Sequence, residues 1–235
     1  MTIAKDGYSN ILGAALIGLV VVIAGFFIDG WLAYIFYAVA FLFVVSITLF
    51  FRDPDRNIPN DQNLILSPAD GKIVSLQEVE EEKYIKGKAT QICIFLSPLD
   101  VHVNRSPASG NIEYVKYNPG AYLMAWDHRA SSMNERADFG VLHPSGIKIF
   151  FRQITGFMAR RIVYHLKEGD KVTAGDRFGI MKFSSRMDIL VPPEVKVEVT
   201  EGDRTIGGET VLGRIVKRSD VKGGTSKAED GFSNI

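Results

Sequence analysis

EGDKVTAGD at residues 168–176 and EGDRTIGGE at residues 201–209 are two copies of one pattern. A second pair lies upstream, with SPADGKIV at residues 67–74 and SPASGNIE at residues 106–113. Gly-Asp steps of this kind are turn sequences, because glycine takes positive φ without strain and aspartate hydrogen-bonds within its own turn. The repetition therefore predicts a chain that is built from paired, equivalent units.

Short β-rich runs lie around these repeats. Each alternates or is rich in β-branched residues, and each is bounded by Gly, Pro, Asp or Asn. They are residues 72–76, 90–96, 147–151 and 195–199. Paired units of this kind resemble the two halves of biotinyl/lipoyl-like β-sandwiches. We therefore expect a mainly β (α+β) fold in which a β-sandwich domain has repeated halves.

The N-terminus departs from this β pattern. Residues 11–28 and 31–51 carry no charge, and Asp29-Gly30 separates them. As helices, these runs reach about 27–31 Å, enough to cross a hydrocarbon core. A signal peptide has a basic start, one shorter apolar run and a small-residue cleavage site. Residues 1–51 therefore predict a transmembrane helical hairpin, with a re-entrant or buried helix pair as the alternative.

The charges that flank the hairpin predict its orientation. Lys5 precedes it and Arg52 and Arg56 follow it, whereas the connecting turn carries only Asp29. Because basic residues favour the cytoplasmic side, we expect a cell-membrane protein whose large domain lies on the cytoplasmic face.

The composition divides the remaining chain. Pro54 and Pro59 stop any continuation of the second helix, so a second domain is expected at residues 52–222. Residues 223–235 are rich in Gly, Ser and charge, which predicts a disordered tail. The formal net charge is zero, which argues against a nucleic-acid partner. The single cysteine, Cys93, excludes an internal disulfide and lies in an apolar run typical of a core.

RFGIMKFSSRMD at residues 177–188 resembles the processing segment of phosphatidylserine decarboxylases of the short, membrane-linked form. In that family a serine in a Phe-Gly-Ser-Arg-x-Asp context becomes a pyruvoyl group. Phe183, Ser185, Arg186 and Asp188 match this context, while Ser184 stands where the family has glycine.

The resemblance implies an activity and a cofactor. The Ser185 hydroxyl attacks the carbonyl of Ser184, the chain is cut between these residues, and Ser185 becomes a covalent pyruvoyl group. The two fragments form an α/β heterodimer. The pyruvoyl ketone forms a Schiff base with phosphatidylserine from the bilayer, and loss of carbon dioxide gives phosphatidylethanolamine for phospholipid biosynthesis.

SPLDVHVNRSP at residues 97–107 resembles a second family segment, in which larger relatives carry two histidines three residues apart. His102 fits the first, so the resemblance implies that it is a proton donor or base. Arg105 occupies the second, as in the short forms. Asp70 matches an aspartate that the family places in an Asp-His-Ser processing relay, although a plain turn residue before Gly71 is an equal alternative. Because Arg105 replaces the relay histidine, the full relay is not carried over, and either His102 serves both roles or Arg105 stabilises the oxyanion.

Arginines are expected to bind the lipid phosphate and carboxylate, because guanidinium groups suit both anions. By resemblance these are Arg105, Arg160, Arg161 and Arg186, with one of the adjacent pair Arg160 and Arg161 facing away from the substrate. No group of His, Cys, Asp and Glu has metal-site spacing, so no metal is expected.

Two other readings stay open. Lys182 lies in a segment similar to the lysine hairpin of biotinyl domains, which would make the chain a carrier or adaptor module. The second alternative is a homologue that does not cut itself, which stays open because Ser184 stands where the family has glycine. The sequence does not decide whether the protein forms a homo-oligomer or which base activates Ser185. It also does not decide whether the lipid chains are ester- or ether-linked.

Overall fold

The computed structural model describes residues 2–127, 129–157, 161–182 and 185–216. The predicted tail at 223–235 lies outside these ranges.

The helices are α1 (Tyr8–Gly25), α2 (Leu32–Phe50) and α3 (Ala130–Met133), with a 3₁₀ turn at Lys5–Gly7. The strands are β1 (Thr2–Ile3), β2 (Arg52–Asp53), β3 (Leu64–Leu66), β4 (Gly71–Glu81), β5 (Gly87–Leu96), β6 (Val103–Arg105), β7 (Gly110–Asn118), β8 (Arg136–Leu142), β9 (Lys148–Thr155), β10 (Ile162–Tyr164), β11 (Lys171–Val172), β12 (Arg177–Met181), β13 (Ser185–Val191), β14 (Val195–Val197), β15 (Arg204–Thr205) and β16 (Val211–Ile215).

The predicted pair of apolar N-terminal helices is confirmed. By length and composition, α1 and α2 can each cross a membrane, and most of their residues are exposed. Gly30, with φ of +78°, lies in the turn between them. β1 pairs antiparallel with β2, which fixes both ends of the hairpin beside the same edge of the β domain.

Small residues let the two helices approach closely. Ala14 and Gly18 of α1 and Ala40 of α2 are buried. A Cβ on Gly18 would lie 2.9 Å from the Val44 side chain, so a larger residue there would push the helices apart. Small residues at such contacts are typical of helix pairs in lipid.

An antiparallel sheet of eight strands forms the centre of the β domain. Its order is β11-β7-β8-β9-β13-β5-β4-β15, and two three-stranded sheets, β10-β12-β6 and β14-β16-β3, complete the fold. The main core cluster includes Ile94, Phe139, Phe151, Met187 and Ile189. β13 is the fifth strand of eight, and all seven of its residues are buried.

The sheet orders divide the domain into two halves of seven strands each. One half is the continuous series β6–β12, and the other combines β3–β5 with β13–β16. The first half is thus inserted between β5 and β13 of the second, and β9 meets β13 at the middle of the large sheet. The second half therefore consists of two separate stretches of chain, and Ser185 stands where the second stretch begins.

The repeated segments occupy matching places in the two halves. The backbone N–H of Gly169 donates to Ile112 O at 2.8 Å, and that of Gly202 donates to Ile73 O at 2.9 Å. Both glycines have positive φ, of +92° and +97°. The repeat thus forms equivalent turns, as the sequence predicts, whereas likeness to biotinyl/lipoyl domains stays a prediction.

The chain leaves or enters several strands at one end of the large sheet, which we call the Ser185 end. Ser185 pairs there with Leu96 of β5 and Thr155 of β9. The connections after β5 and β9, and those before β4, β8 and β13, all lie at this end. Residues that are distant in sequence therefore meet around Ser185.

Candidate active site

Ser185 is the first residue of β13. It is fully buried, and its Oγ has no hydrogen-bond partner among the described residues. A buried hydroxyl without a partner is costly, because it loses its hydrogen bonds to water. Ser184, the other side of the predicted scissile bond, lies outside the described residues.

Alternation along β13 places neighbouring side chains on opposite faces of the sheet. Met187 and Ile189 belong to the main core, so Ser185, which has the same parity, also lies on this inner face. Arg186 and Asp188 lie on the outer face. The Ser185 hydroxyl and the Arg186 guanidinium are thus separated by the sheet itself.

His102 is a buried imidazole at the same end of the sheet. Its Nδ1 lies 2.9 Å from Asp100 O, and because a carbonyl only accepts, Nδ1 carries a proton. Burial lowers the His102 pKa to about 4, so the ring is neutral at neutral pH. Nε2 then holds a lone pair and has no partner within the described part of the chain. This nitrogen can accept a proton.

Backbone contacts place His102 beside the connection that leads to Ser185. The N–H of Met181, the last residue of β12, donates to His102 O at 3.3 Å. β13 begins four positions later, at Ser185. The structure therefore brings His102 and Ser185 to one end of the domain.

Asn104 and Gln153 form a buried amide pair on the inner face. Gln153 Nε2 donates to Asn104 Oδ1 at 2.8 Å, while Asn104 Nδ2 and Gln153 Oε1 have no partner among the residues described. Gln153 pairs with Met187, two positions from Ser185 on the same face. Diagonal neighbours of this kind have Cβ atoms about 7 Å apart. Gln153 thus lies near Ser185, and its partner Asn104 carries an amide donor without a partner among the described residues.

Asp70 lies beside the first residue of β4, two strands from Ser185. Its carboxylate accepts two hydrogen bonds from Arg56, at 2.8 and 2.9 Å, and one from Gly207 N–H at 2.8 Å. Neither His102 nor Ser185 is among the hydrogen-bond partners of Asp70 in the described part of the chain. Asp70 is therefore held in an ion pair with Arg56, and its part in processing stays a prediction.

Arg105 is buried in an ion pair instead of facing open space. Its guanidinium donates to Gly175 O at 2.9 Å and to Asp53 Oδ1 at 3.1 Å. Burial, with Arg177 nearby, lowers the pKa of Arg105. These contacts join β6 to the segment that follows the apolar helical hairpin.

Arg186 is likewise enclosed, on the outer face. It donates to Asp188 Oδ1 at 2.6 Å and to Cys93 Sγ at 2.6 Å. Asp188 also accepts from Gln91 and Ser131, each at 2.7 Å. Burial, followed by the charge of Asp188, raises the pKa of the Cys93 thiol. Cys93 is thus a neutral core thiol, as its apolar context predicts.

Arg161 and Lys182 place two cations next to the cleavage segment. The N–H of Lys182 donates to Arg161 O at 3.3 Å, and the Arg161 side chain is exposed. Burial, then the charge of Arg161, lowers the Lys182 pKa. Lys182 Nζ reaches Asn10 Oδ1 at 2.6 Å, which joins this corner to α1. Arg160 lies outside the described residues.

Sequence reasoning missed Gln153, Asn104 and the cationic partner Lys182 as site residues. Gln153 and Asn104 lie on strands that are far apart in sequence, and no local motif marks them. The sequence feature that could have identified them is a polar residue within an otherwise apolar strand. Asn134 is buried and hydrogen-bonds to the backbone of Leu123 and Thr155, which joins the connection before β8 to the end of β9.

Most of this chain is similar in sequence to one known family. A sequence model described as phosphatidylserine decarboxylase matches residues 43–213. The chain is similar to a phosphatidylserine decarboxylase proenzyme of Salinibacter ruber, at 55% identity over 71% of this chain and 74% of the relative. It is also similar to proenzymes of the same name from Cytophaga hutchinsonii, at 41% identity over 90% and 98%, and from Chlorobaculum parvum, at 43% over 92% and 100%. The chain belongs to the phosphatidylserine decarboxylase family.

Proposed function

We propose that this chain decarboxylates phosphatidylserine to phosphatidylethanolamine with a pyruvoyl group that it makes from Ser185. The observation that carries the proposal is the Ser185 hydroxyl, which is buried at the start of a central strand with no partner among the described residues. A hydroxyl in this state is free to react with its own backbone. Family membership and the proenzyme relatives support the same reaction.

The processing step uses the atoms of the chain and one water molecule. The Ser185 Oγ attacks the carbonyl carbon of Ser184, so a C–O bond forms as the C–N bond breaks. β-Elimination releases the Ser184 carboxylate and leaves dehydroalanine, which water converts to a pyruvoyl group and ammonia. Neutral serine is a weak nucleophile, so a base and an oxyanion donor are needed.

The surrounding residues fit a pyruvoyl group at position 185. The inner face offers it a buried setting, with Leu96 and Thr155 on either side. When formed, this group supplies a ketone that condenses with the amine of a serine head group and takes up the electron pair that departing carbon dioxide leaves. The free Nδ2 of Asn104 is a suitable donor to a developing oxyanion.

His102 is the proposed proton carrier. Its neutral ring accepts a proton at Nε2, because Nδ1 already donates to Asp100 O. Burial disfavours the imidazolium that forms, so the proton is readily passed on to a carbanion. His102 thus acts first as a base and then as a donor.

Arg161 and Lys182 are the proposed anion-binding groups. Arg161 is exposed, and burial, followed by the charge of Arg161, lowers the pKa of Lys182. Two adjacent cations suit a lipid phosphate and carboxylate. Arg105 and Arg186 are instead held by Asp53 and Asp188, so we propose that they stabilise the framework. Asp70 likewise holds Arg56.

The two fragments are proposed to remain an α/β heterodimer in the membrane. β13 begins the small fragment and stays paired with β5 and β9 of the large one. The helices α1 and α2 suit a membrane anchor. Lys5, Arg52 and Arg56 favour a β domain on the cytoplasmic face.

Mass analysis of the purified full chain tests the proposal. We expect a fragment that ends at Ser184 and a second that begins with a blocked pyruvoyl group, and an uncut, inactive protein for Ser185→Ala. An intact chain modified at Lys182 would instead indicate a carrier. Lys182 is half-buried and contacts α1, which disfavours that outcome. An intact, unmodified chain would indicate a homologue that does not process itself.

A further inference from the structure

Large apolar side chains are exposed at the Ser185 end of the sheet. Leu99 follows β5 and is 83% exposed, Trp126 precedes β8 and is 59% exposed, and Phe157 follows β9 and is 58% exposed. We call these three residues the apolar rim. Tyr122, Met124 and Met133 add further exposed apolar surface in the connection before β8. Exposed apolar groups that gather from separate loops mark an interaction surface.

The opposite end of the same sheet lacks this feature among the described residues. The connections there are residues 82–86, 143–147 and 192–194. Their exposed side chains include Glu82, Lys86, Ser145 and Glu194, and none of the exposed large hydrophobic residues lies in them. The apolar rim therefore distinguishes one end of the sheet from the other.

The rim is continuous with the membrane hairpin. Arg52, two residues beyond α2, donates to Leu49 O at 2.9 Å and to Leu99 O at 2.5 Å. The Arg52 guanidinium thus joins the end of the apolar helix to the loop that carries Leu99. Since α2 suits a bilayer, its end fixes this loop at or near the bilayer surface.

The aromatic residues of the rim suit a membrane interface. Trp126 has its ring centroid 5.7 Å from that of Phe95, in an edge-to-face arrangement, and still exposes more than half its surface. Tryptophan and tyrosine are enriched where a protein meets the head-group region. Loops with such residues bind lipid by burying apolar area at the boundary of head groups and acyl chains.

We propose that the apolar rim inserts into the membrane interface and holds the Ser185 end of the sheet against the bilayer. A lipid head group then reaches the site while its acyl chains stay in the membrane. This last consequence rests on the proposed function, whereas insertion of the rim does not. The occupant is the bilayer rather than another protein, because α2 and Arg52 fix the rim to the membrane-spanning part of the same chain.

Tryptophan fluorescence in proteoliposomes tests the insertion. The chain has two tryptophans, so Trp31→Phe leaves Trp126 as the sole reporter. We expect phospholipids with brominated acyl chains to quench Trp126 strongly. A matched reporter at the opposite end, Glu82→Trp in a Trp31→Phe/Trp126→Phe background, should keep its fluorescence. Equal quenching of the two reporters, or none at Trp126, overturns the proposal.

Repeating the quenching in Ser185→Ala separates this inference from the proposed function. Quenching that persists there supports insertion even if the chain proves to have no decarboxylase activity. Protection of Trp126 from both lipid and aqueous quenchers would indicate a second protein surface and overturn the proposal.

Turnover gives a second measurement. Leu99→Ser/Phe157→Ser should raise the apparent KM for phosphatidylserine in vesicles roughly tenfold, because two buried apolar side chains are lost. Activity on a dispersed short-chain phosphatidylserine should stay unchanged. Equal KM values in vesicles for this variant and the unmodified chain contradict the inference.

Discussion

The ring of Phe50 lies 4.3 Å from the imidazole of His102, measured between centroids, with the planes inclined by 35°. Phe50 is the last residue of α2, so the apolar helical hairpin forms part of the environment of a proposed catalytic residue. Phe50 also packs in a cluster with Phe51, Val103 and Ile180. The hairpin is therefore joined to the β domain by packing as well as by the chain.

We expect Phe50→Ala to raise the pKa of His102. In the intact protein burial lowers this pKa from 6.5 to about 4, so His102 is a base at every pH above about 4. Removing the ring lets water solvate the imidazolium, which moves the pKa back toward 6.5. The acidic limb of the pH profile of kcat/KM should therefore shift to higher pH.

Phe43→Ala is the matched control, since Phe43 lies on the same helix and is partly exposed. Its pH profile should match that of the unmodified chain. An unchanged acidic limb in Phe50→Ala, or an equal shift in both variants, would show that Phe50 does not set the pKa of His102.

The position of Ser185 between the two halves predicts the behaviour of the cut protein. Cleavage separates β13–β16 from the rest of their half, yet β13 keeps its pairing with Leu96 and Thr155 at one end and with Thr90 at the other. We expect both fragments to co-elute in mild detergent and to separate under denaturing conditions. Loss of the small fragment in mild detergent would contradict this pairing.

Asn104→Leu should slow self-cleavage. The change keeps the approximate side-chain size but removes the Nδ2 donor, which has no partner among the described residues and is proposed to serve the oxyanion. Loss of one oxyanion donor typically costs about 10²-fold in rate. Cleavage is followed by electrophoresis after a pulse of synthesis, with exposed Asn111→Leu as the control. Equal cleavage rates in the two variants would remove Asn104 from the mechanism.

Local features of the fold could be predicted from the sequence. Gly169 and Gly202 identify equivalent turns because positive φ is a property of single residues and their neighbours. The two uncharged runs identify α1 and α2 because helix length and apolar composition are also local. The insertion of one half between β5 and β13 could not be predicted, since it depends on pairing between distant strands.

The candidate site also has a part that the sequence could predict and a part that it could not. Ser185 and His102 lie in recognisable segments, and the structure brings both to one end of the sheet. The roles of the arginines could not be predicted in this way, because a motif identifies the residue type but not the group that the side chain contacts. Arg105 is paired with Asp53, which lies 52 positions away in sequence and is brought to it by tertiary packing, whereas Arg186 is paired with Asp188 of its own strand.

Asp188→Leu should destabilise the β domain. It leaves the buried Arg186 without its carboxylate partner, and breaking a buried pair from one side typically costs about 3–5 kcal/mol. In Arg186→Met/Asp188→Leu no uncompensated charge remains, so most of this stability should return. Thermal unfolding in detergent measures both variants. A double variant as unstable as the single one would show that the ion pair is not the source of the effect.

Arg161→Gln should raise KM for phosphatidylserine with little change in kcat. A hydrogen bond to a charged group contributes about 1.5–3 kcal/mol, which corresponds to roughly 10- to 100-fold in binding. Arg161→Lys should recover part of the loss, because it keeps the charge but not the guanidinium geometry. Exposed Lys196→Gln is the remote control.

The mass of each Arg161 variant must first show complete self-cleavage, because an uncut chain would lower kcat for a different reason. With cleavage complete, a KM that does not change in Arg161→Gln but rises in Lys182→Gln would assign anion binding to Lys182 alone. A fall in kcat without a rise in KM would place Arg161 in the chemical step and not in recognition of the lipid.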